Sequence, residues 1–257
     1  MLFRSLSIHL FPLIFYFFAF LNNLLHLIRT KSGLHKGTVL LIPGGDYETL
    51  KLKSECESTT RFLNAQNFDV AVLEYRVGSD IQTRNMALTD ALKAFRLLKG
   101  NKNLQGLNTD HLLAMGFASG GHLAARAVQR LNKKEQPDEL ILVSPSYMNE
   151  TLAGTVYAAV LPPLEPVGRL LTIVPDNGDK AWVKSCEEYT KTWIGYDGKA
   201  SCYSQKDNVY VCGKDTIAMD GKFKLSGILK KFLEVKPEAE KIAQNPATVS
   251  VEGYNHK

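Results

Sequence analysis

The sequence predicts an α/β protein in which a mostly parallel sheet carries helices on both faces. Short runs rich in apolar and β-branched residues, such as Thr38 to Pro43 (TVLLIP) and Asp69 to Tyr75 (DVAVLEY), read as buried strands. They alternate with stretches of helical periodicity, and strand–helix alternation implies parallel pairing through crossovers. A glycine-rich turn, Gly116-Phe117-Ala118-Ser119-Gly120-Gly121-His122, joins the apolar run His111 to Met115 to an Ala-rich helical stretch, Leu123 to Leu131.

The elements follow in order. The strand Thr38 to Pro43 ends in Gly44-Gly45, and Ser54 to Gln66 has helical spacing. Asp69 to Tyr75 is the next strand, and Asn85 to Lys99 is an amphipathic helix. After the glycine-rich turn and its helix come the strand Glu139 to Val143, the strand Arg169 to Val174 and the helix Ala181 to Trp193. Lys199 to Gln205 is a weaker strand, and Leu225 to Leu233 is the closing helix. With 257 residues, the length fits one domain, expected over residues 37–236 behind a polar linker (Thr30 to Gly37) and before a polar tail, residues 237–257.

Residues 1–33 are expected to lie outside that domain. Leu10 to Leu21 (LFPLIFYFFAFL) is continuously apolar, with Arg4 before it and Arg29 and Lys31 after it. This is the order of an export signal, although no small-x-small cleavage site follows. Extended to Ile28, the stretch approaches the length of a tilted membrane span, interrupted by Asn22, Asn23 and His26. A signal peptide and an uncleaved anchor within residues 1–28 are both open, and either implies an exported or membrane-anchored protein.

Composition excludes several classes. The net charge of +5 is modest and its Lys and Arg are scattered, so nucleic acid is not an expected partner. Cys56, Cys186, Cys202 and Cys212 form no CxxC pair and no zinc spacing with His, so no metal site is expected. They are expected as separate thiols or, in an exported chain, with a disulfide among the last three. The glycine spacing also fails the dinucleotide-binding pattern.

Four residue groups carry a family resemblance: Leu40-Leu41-Ile42-Pro43-Gly44-Gly45-Asp46-Tyr47, Val72-Leu73-Glu74-Tyr75-Arg76-Val77, Met115 to Ala125 (MGFASGGHLAA) and Val143-Ser144-Pro145. With them, the stretch from Thr38 to Leu233 resembles the small lid-less α/β-hydrolases: carbohydrate acetylesterases, lipase-like esterases and dienelactone-hydrolase relatives. The resemblance implies an α/β-hydrolase fold with a minimal lid, acyl-ester hydrolysis without a cofactor, and a small acyl-ester or carbohydrate-like ligand.

The implied site departs from the family pattern at two of three catalytic positions. The elbow pattern Gly-x-Ser-x-Gly has Ala118 in the middle, which offers no nucleophile. Ser119, the one hydroxyl there, either reaches the tip on a shifted turn or caps the following helix. Gly44, Gly45 and Gly120 are the implied oxyanion-hole positions, where backbone N–H groups stabilise developing charge. Asp46 replaces a third glycine. Asp179 is preferred over Asp176 as the acid, and the Asp-Asn-Gly-Asp run suits a turn and helix cap equally well. Tyr210 fills the position of the family's base. His256 is the only His beyond the elbow helix, and His122 reads as structural. Two functions follow: a pseudo-hydrolase that keeps a ligand pocket, or a serine ester hydrolase that uses Ser119, Asp179 and His256.

Overall fold

The computed structural model describes residues 24–101, 104–149, 160–175, 179–219 and 222–234. Asp176, His256, the tail 237–257 and the apolar stretch through residue 23 lie outside the described residues. So does the segment 150–159, on which the expectation of a minimal lid bears.

Among the described residues, nine strands form one sheet in the order β1-β3-β2-β4-β5-β6-β7-β8-β9. They are β1 (Leu25–Ile28), β2 (Gly37–Ile42), β3 (Phe68–Leu73), β4 (Leu112–Phe117), β5 (Glu139–Val143), β6 (Arg169–Val174), β7 (Lys199–Lys206), β8 (Val209–Cys212) and β9 (Asp215–Ala218). Strands β3 through β7 pair in parallel, while β1, β8 and β9 pair antiparallel at the two borders. The helices are α1 (Glu57–Ala65), α2 (Ile81–Gly100), α3 (Ala118–Arg130), α4 (Lys180–Gly195) and α5 (Ser226–Glu234).

The two-residue period of the strands divides the core between two faces. Leu40, Ile42, Leu112 and Ala114 point toward α2, α3 and α4, where they meet Phe95, Leu123 and Trp193. Val39, Leu41, Leu113 and Met115 point the other way, toward Leu63 of α1 and Ile228 and Leu229 of α5. Central strands covered on both sides are near-continuously apolar, and β2 and β4 are buried throughout.

The chain order reverses direction between β2 and β4. From β2 the chain crosses through α1 to β3, and from β4 it crosses through α3 to β5 on the opposite face. The crevice beyond the carboxyl ends of β2 and β4 is therefore the place where this architecture binds ligands.

Three boundaries differ from the sequence reading. Residues 25–28, assigned to the apolar N-terminal segment, form β1: His26 pairs with Val72 of β3, and its ring meets Glu74 at 2.9 Å. Four residues are too short a run to separate a strand from the end of an apolar span. The linker after β1 is pinned as well. The fully buried Asp69 carboxylate accepts the Thr30 N–H at 2.9 Å and the Asn108 N–H at 3.1 Å, and His35 Nδ1 lies 3.0 Å from it. The domain thus begins before residue 37. Helix α2 starts one turn earlier than the apolar period suggests, because Asp80 caps it through the Thr83 N–H at 2.8 Å.

Candidate active site

Strand β4 runs into α3 through a turn with no spare volume. A Cβ on Gly116 would overlap the backbone of Gly120 and Gly121, and one on Gly120 would overlap the carbonyl oxygens of Ile42 and Pro43. With both flanks glycine, the turn closes and places Ala118 at its tip with φ +44°. A left-handed Ala costs on the order of 1–2 kcal/mol and persists only where the surroundings impose it. Asp46, Tyr47, Ser144 and Tyr147 also have positive φ, at +57°, +65°, +50° and +56°. These residues adjoin the turn: Tyr147 reaches Asp46 Oδ1 at 3.3 Å, and the Ser146 N–H donates to the Ala118 carbonyl at 3.1 Å.

Ser119 occupies neither place expected of it. Its side chain is fully buried, and Oγ accepts the Asp46 N–H at 2.8 Å. It does not cap α3, which has no side-chain cap. It lies within hydrogen-bonding reach of the Tyr75 phenol, whose O–H donates to the Pro43 carbonyl at 2.9 Å. Ser119 therefore fastens the elbow to the loop after β2.

That loop is closed by a second interior contact. The Gly44 N–H, an implied oxyanion donor, is engaged by Glu55 Oε2 at 2.6 Å. Glu55 sits on a π-helical turn, Leu52–Cys56, that leads into α1. A methyl group's position on Gly44 lies 3.0 Å from Ala118 Cβ and 3.2 Å from Glu55 Oε1, so the carboxyl group borders the elbow tip. Burial raises the pKa of Glu55, and the Gly44 N–H partly opposes that rise. Gly45 forms the turn itself, its carbonyl accepting the Glu48 and Thr49 N–H groups at 3.0 Å. Gly120 serves close packing against β2. No sequence motif marks Glu55, because its role arises from the path of the turn.

His122 is structural, as the sequence suggests. It is buried, with Nδ1 2.8 Å from the Tyr47 hydroxyl and its ring edge-on to Tyr47 and Tyr147. Burial, with the neighbouring Arg126 charge, pushes its pKa down to about 3. It is neutral at physiological pH.

The other flank of the crevice is an open cleft of about 180 Å³ lined by Ser146, Tyr147, Asp179 and Trp182. Asp179 caps α4, its Oδ1 accepting the Ala181 and Trp182 N–H groups at 3.0 Å each. Trp182 is fixed by its indole N–H, which donates to the Pro145 carbonyl at 2.5 Å.

Tyr210, at the position that the resemblance aligns with the family's base, lies on β8, opposite Gln205 of β7 and Ile217 of β9. Its side chain is buried in the apolar cluster with Tyr203 and Ile228, and burial raises its pKa. The sequence VYVCGKDTIA has the alternation of a hairpin with Gly213 at the turn, a signal available before the structure. The stretch that the resemblance aligns with the family's base forms β8 and runs on into β9. The four cysteine thiols are free.

A switch-point crevice, a glycine-flanked elbow and a glycine turn after the first parallel strand define an α/β-hydrolase of the esterase type. BD-FAE family sequences match residues 27–156, half of the chain, and the chain belongs to the BD-FAE family. An acetylxylan esterase of Xylanibacter ruminicola is 29% identical over 84 residues, which are 33% of this chain and 17% of that much longer relative. Among solved structures, an α/β-hydrolase from a deep-sea Medee basin metagenome superposes with a TM-score of 0.60 at 19% identity, over 73% of this chain and 78% of that one. An acetyl ester-xyloside bifunctional hydrolase of Caldicellulosiruptor lactoaceticus gives 0.58 at 16% identity, over 82% of each chain. At these identities the superpositions establish the α/β-hydrolase fold.

Proposed function

We propose that this protein is a pseudo-hydrolase: an esterase-type domain that binds a small acyl-ester or carbohydrate-like ligand in the cleft beside Tyr147 and Trp182 without turning it over. The observation that carries this reading is the elbow. Ala118 holds the strained tip, and the one hydroxyl within the elbow sequence, on Ser119, is buried as an acceptor for the Asp46 N–H. A nucleophile must reach the substrate carbonyl with a base within hydrogen-bond range. Ser119 is turned inward, and Tyr210 lies in an apolar cluster. The ligand class rests on the acetylxylan esterase and the acetyl ester-xyloside hydrolase that the chain is similar to. An aromatic wall with a carboxylate at its rim suits a sugar hydroxyl and its apolar face. Leu10 to Leu21 is proposed as the signal or anchor that delivers the domain outside the cytoplasm; no helix among the described residues is long and apolar enough to cross a membrane.

Labelling the full chain with a fluorophosphonate probe tests the reading without knowledge of the substrate. The wild-type protein is expected to stay unlabelled. It is also expected to hydrolyse p-nitrophenyl acetate within about twofold of the Ser119→Ala variant. Labelling that disappears in Ser119→Ala or His256→Ala would overturn the proposal and establish a hydrolase using Ser119, Asp179 and His256.

A further inference from the structure

We propose that a cavity at the amino ends of β6 and β7 is a binding site for a small organic carboxylate. The cavity measures about 230 Å³ and lies between the sheet and α5; Arg169, Lys199 and Ser201 contribute from the strands, and Ile228, Lys231 and Phe232 from the helix. Its charged lining sits at the amino ends of the strands, whereas the ligand cleft lies beyond their carboxyl ends, and the two cavities share no lining residue. It is thus independent of the ligand cleft and of whether that cleft turns over an ester.

Arg169 sets the chemistry. Its side chain is 13% exposed and is held on three sides. Nη2 donates to Glu139 Oε1 at 2.7 Å and to the Phe232 carbonyl at 2.9 Å, and the guanidinium lies 4.4 Å over the Phe232 ring. Nε is buried. Among the described residues, Nη1 has no hydrogen-bond partner and is not one of the buried nitrogens, so its N–H donors face whatever enters the cavity. Lys231 approaches from α5, with Nζ at 2.5 Å from Asp215 Oδ2, which leaves ammonium donors beyond that one contact.

A fixed guanidinium edge selects a planar oxyanion, which a carboxylate supplies. The Glu139 and Asp215 carboxylates already offset charge behind Arg169 and Lys231, which favours a monoanion over a dianionic phosphate. Ile228 and the Phe232 ring give the remaining wall an apolar character that suits a short hydrocarbon body. The volume is below that of sites for drug-sized ligands, about 300 Å³ and upward.

Calorimetric titration of the full chain with sodium butyrate tests the assignment, with n-butanol, n-butylamine and inorganic phosphate as parallel titrants. The expected result is saturable one-site binding of butyrate, no binding of the alcohol or the amine, and weaker binding of phosphate. Lys199→Ala, at an exposed strand end, and Arg169→Lys, which keeps a cation opposite Glu139, should each weaken butyrate binding about tenfold, as expected for a charged hydrogen bond. No butyrate binding, equal binding of the amine, tighter binding of phosphate, or butyrate binding unchanged in Lys199→Ala would each overturn it. Should Arg169→Lys fail to fold, the ligand series and Lys199→Ala still decide.

Discussion

The crevice has two flanks built by opposite means. The flank from β2 and β4 is defined by backbone: two glycines in van der Waals contact with neighbouring carbonyls, a left-handed Ala118 and loop residues of positive φ. The flank from β6 to β9 is defined by side chains: an exposed helix cap at Asp179, the Trp182 indole and a hairpin that buries Tyr210. The first flank keeps the shape of a glycine-flanked elbow with Ala118 at its tip. The second ends in two antiparallel strands, β8 and β9. Geometry imposed by close packing is harder to change than a single exposed side chain, because one cannot be altered without moving the sheet and the other can.

Adding one methyl group to each flank exposes the difference most sharply. Gly120→Ala should destabilise the fold by about 3–5 kcal/mol, since the new Cβ meets backbone oxygens of β2 that cannot move aside. Gly213→Ala, at φ +60° with open space around it, should cost only about 1 kcal/mol of conformational strain. Urea unfolding of both variants makes the comparison, and equal losses would show that the elbow is not the tighter flank.

Acid tests the buried histidine of the first flank. In the unfolded chain His122 takes a proton near its ordinary value of 6.5, whereas the folded site resists protonation until about 3. The unfolded state therefore binds more protons between these values, and stability falls as pH falls, by about 1.4 kcal/mol per pH unit. Denaturant unfolding between pH 7 and 4 should show a shallower slope for His122→Gln. An identical slope would mean that His122 is accessible to protons in the fold.

Ser119→Ala comes next in size. It removes the acceptor of the Asp46 N–H from a part-buried bond, a loss of about 1 kcal/mol. The unfolding midpoint reads it, and no change would show that the bond contributes nothing. Asp179→Ala is the smallest effect, about 1 kcal/mol for loss of the α4 cap, read by the same measurement. A loss much larger than that would point to a role for Asp179 beyond capping.

The parallel sheet was legible because strands buried on both faces read as near-continuous apolar runs, and Arg169 to Val174 and Glu139 to Val143 were found to the residue. The elbow was legible because a turn this crowded admits only glycine at Gly116 and Gly120. The borders were not. Leu25–Ile28 continues an apolar run, so its two-residue alternation is masked by what precedes it. The β8–β9 hairpin around Tyr210 went unread, although the local alternation of VYVCGKDTIA marks it. Glu55 and the direction of the Ser119 hydroxyl depend on where a loop brings the Gly44 and Asp46 amides. Neither relation involves neighbours in sequence.

Successive residues on a helix point about 100° apart. At Ala118-Ser119 the methyl group thus holds the tip while the hydroxyl one step on faces the interior. The two positions do separate work. Ala118→Ser would place an oxygen at the tip and leave the bond from the Asp46 N–H to Ser119 intact, whereas Ser119→Ala would untie the loop after β2 and leave the tip unchanged. One step along the chain therefore divides the face that meets a ligand from the face that fastens the turn.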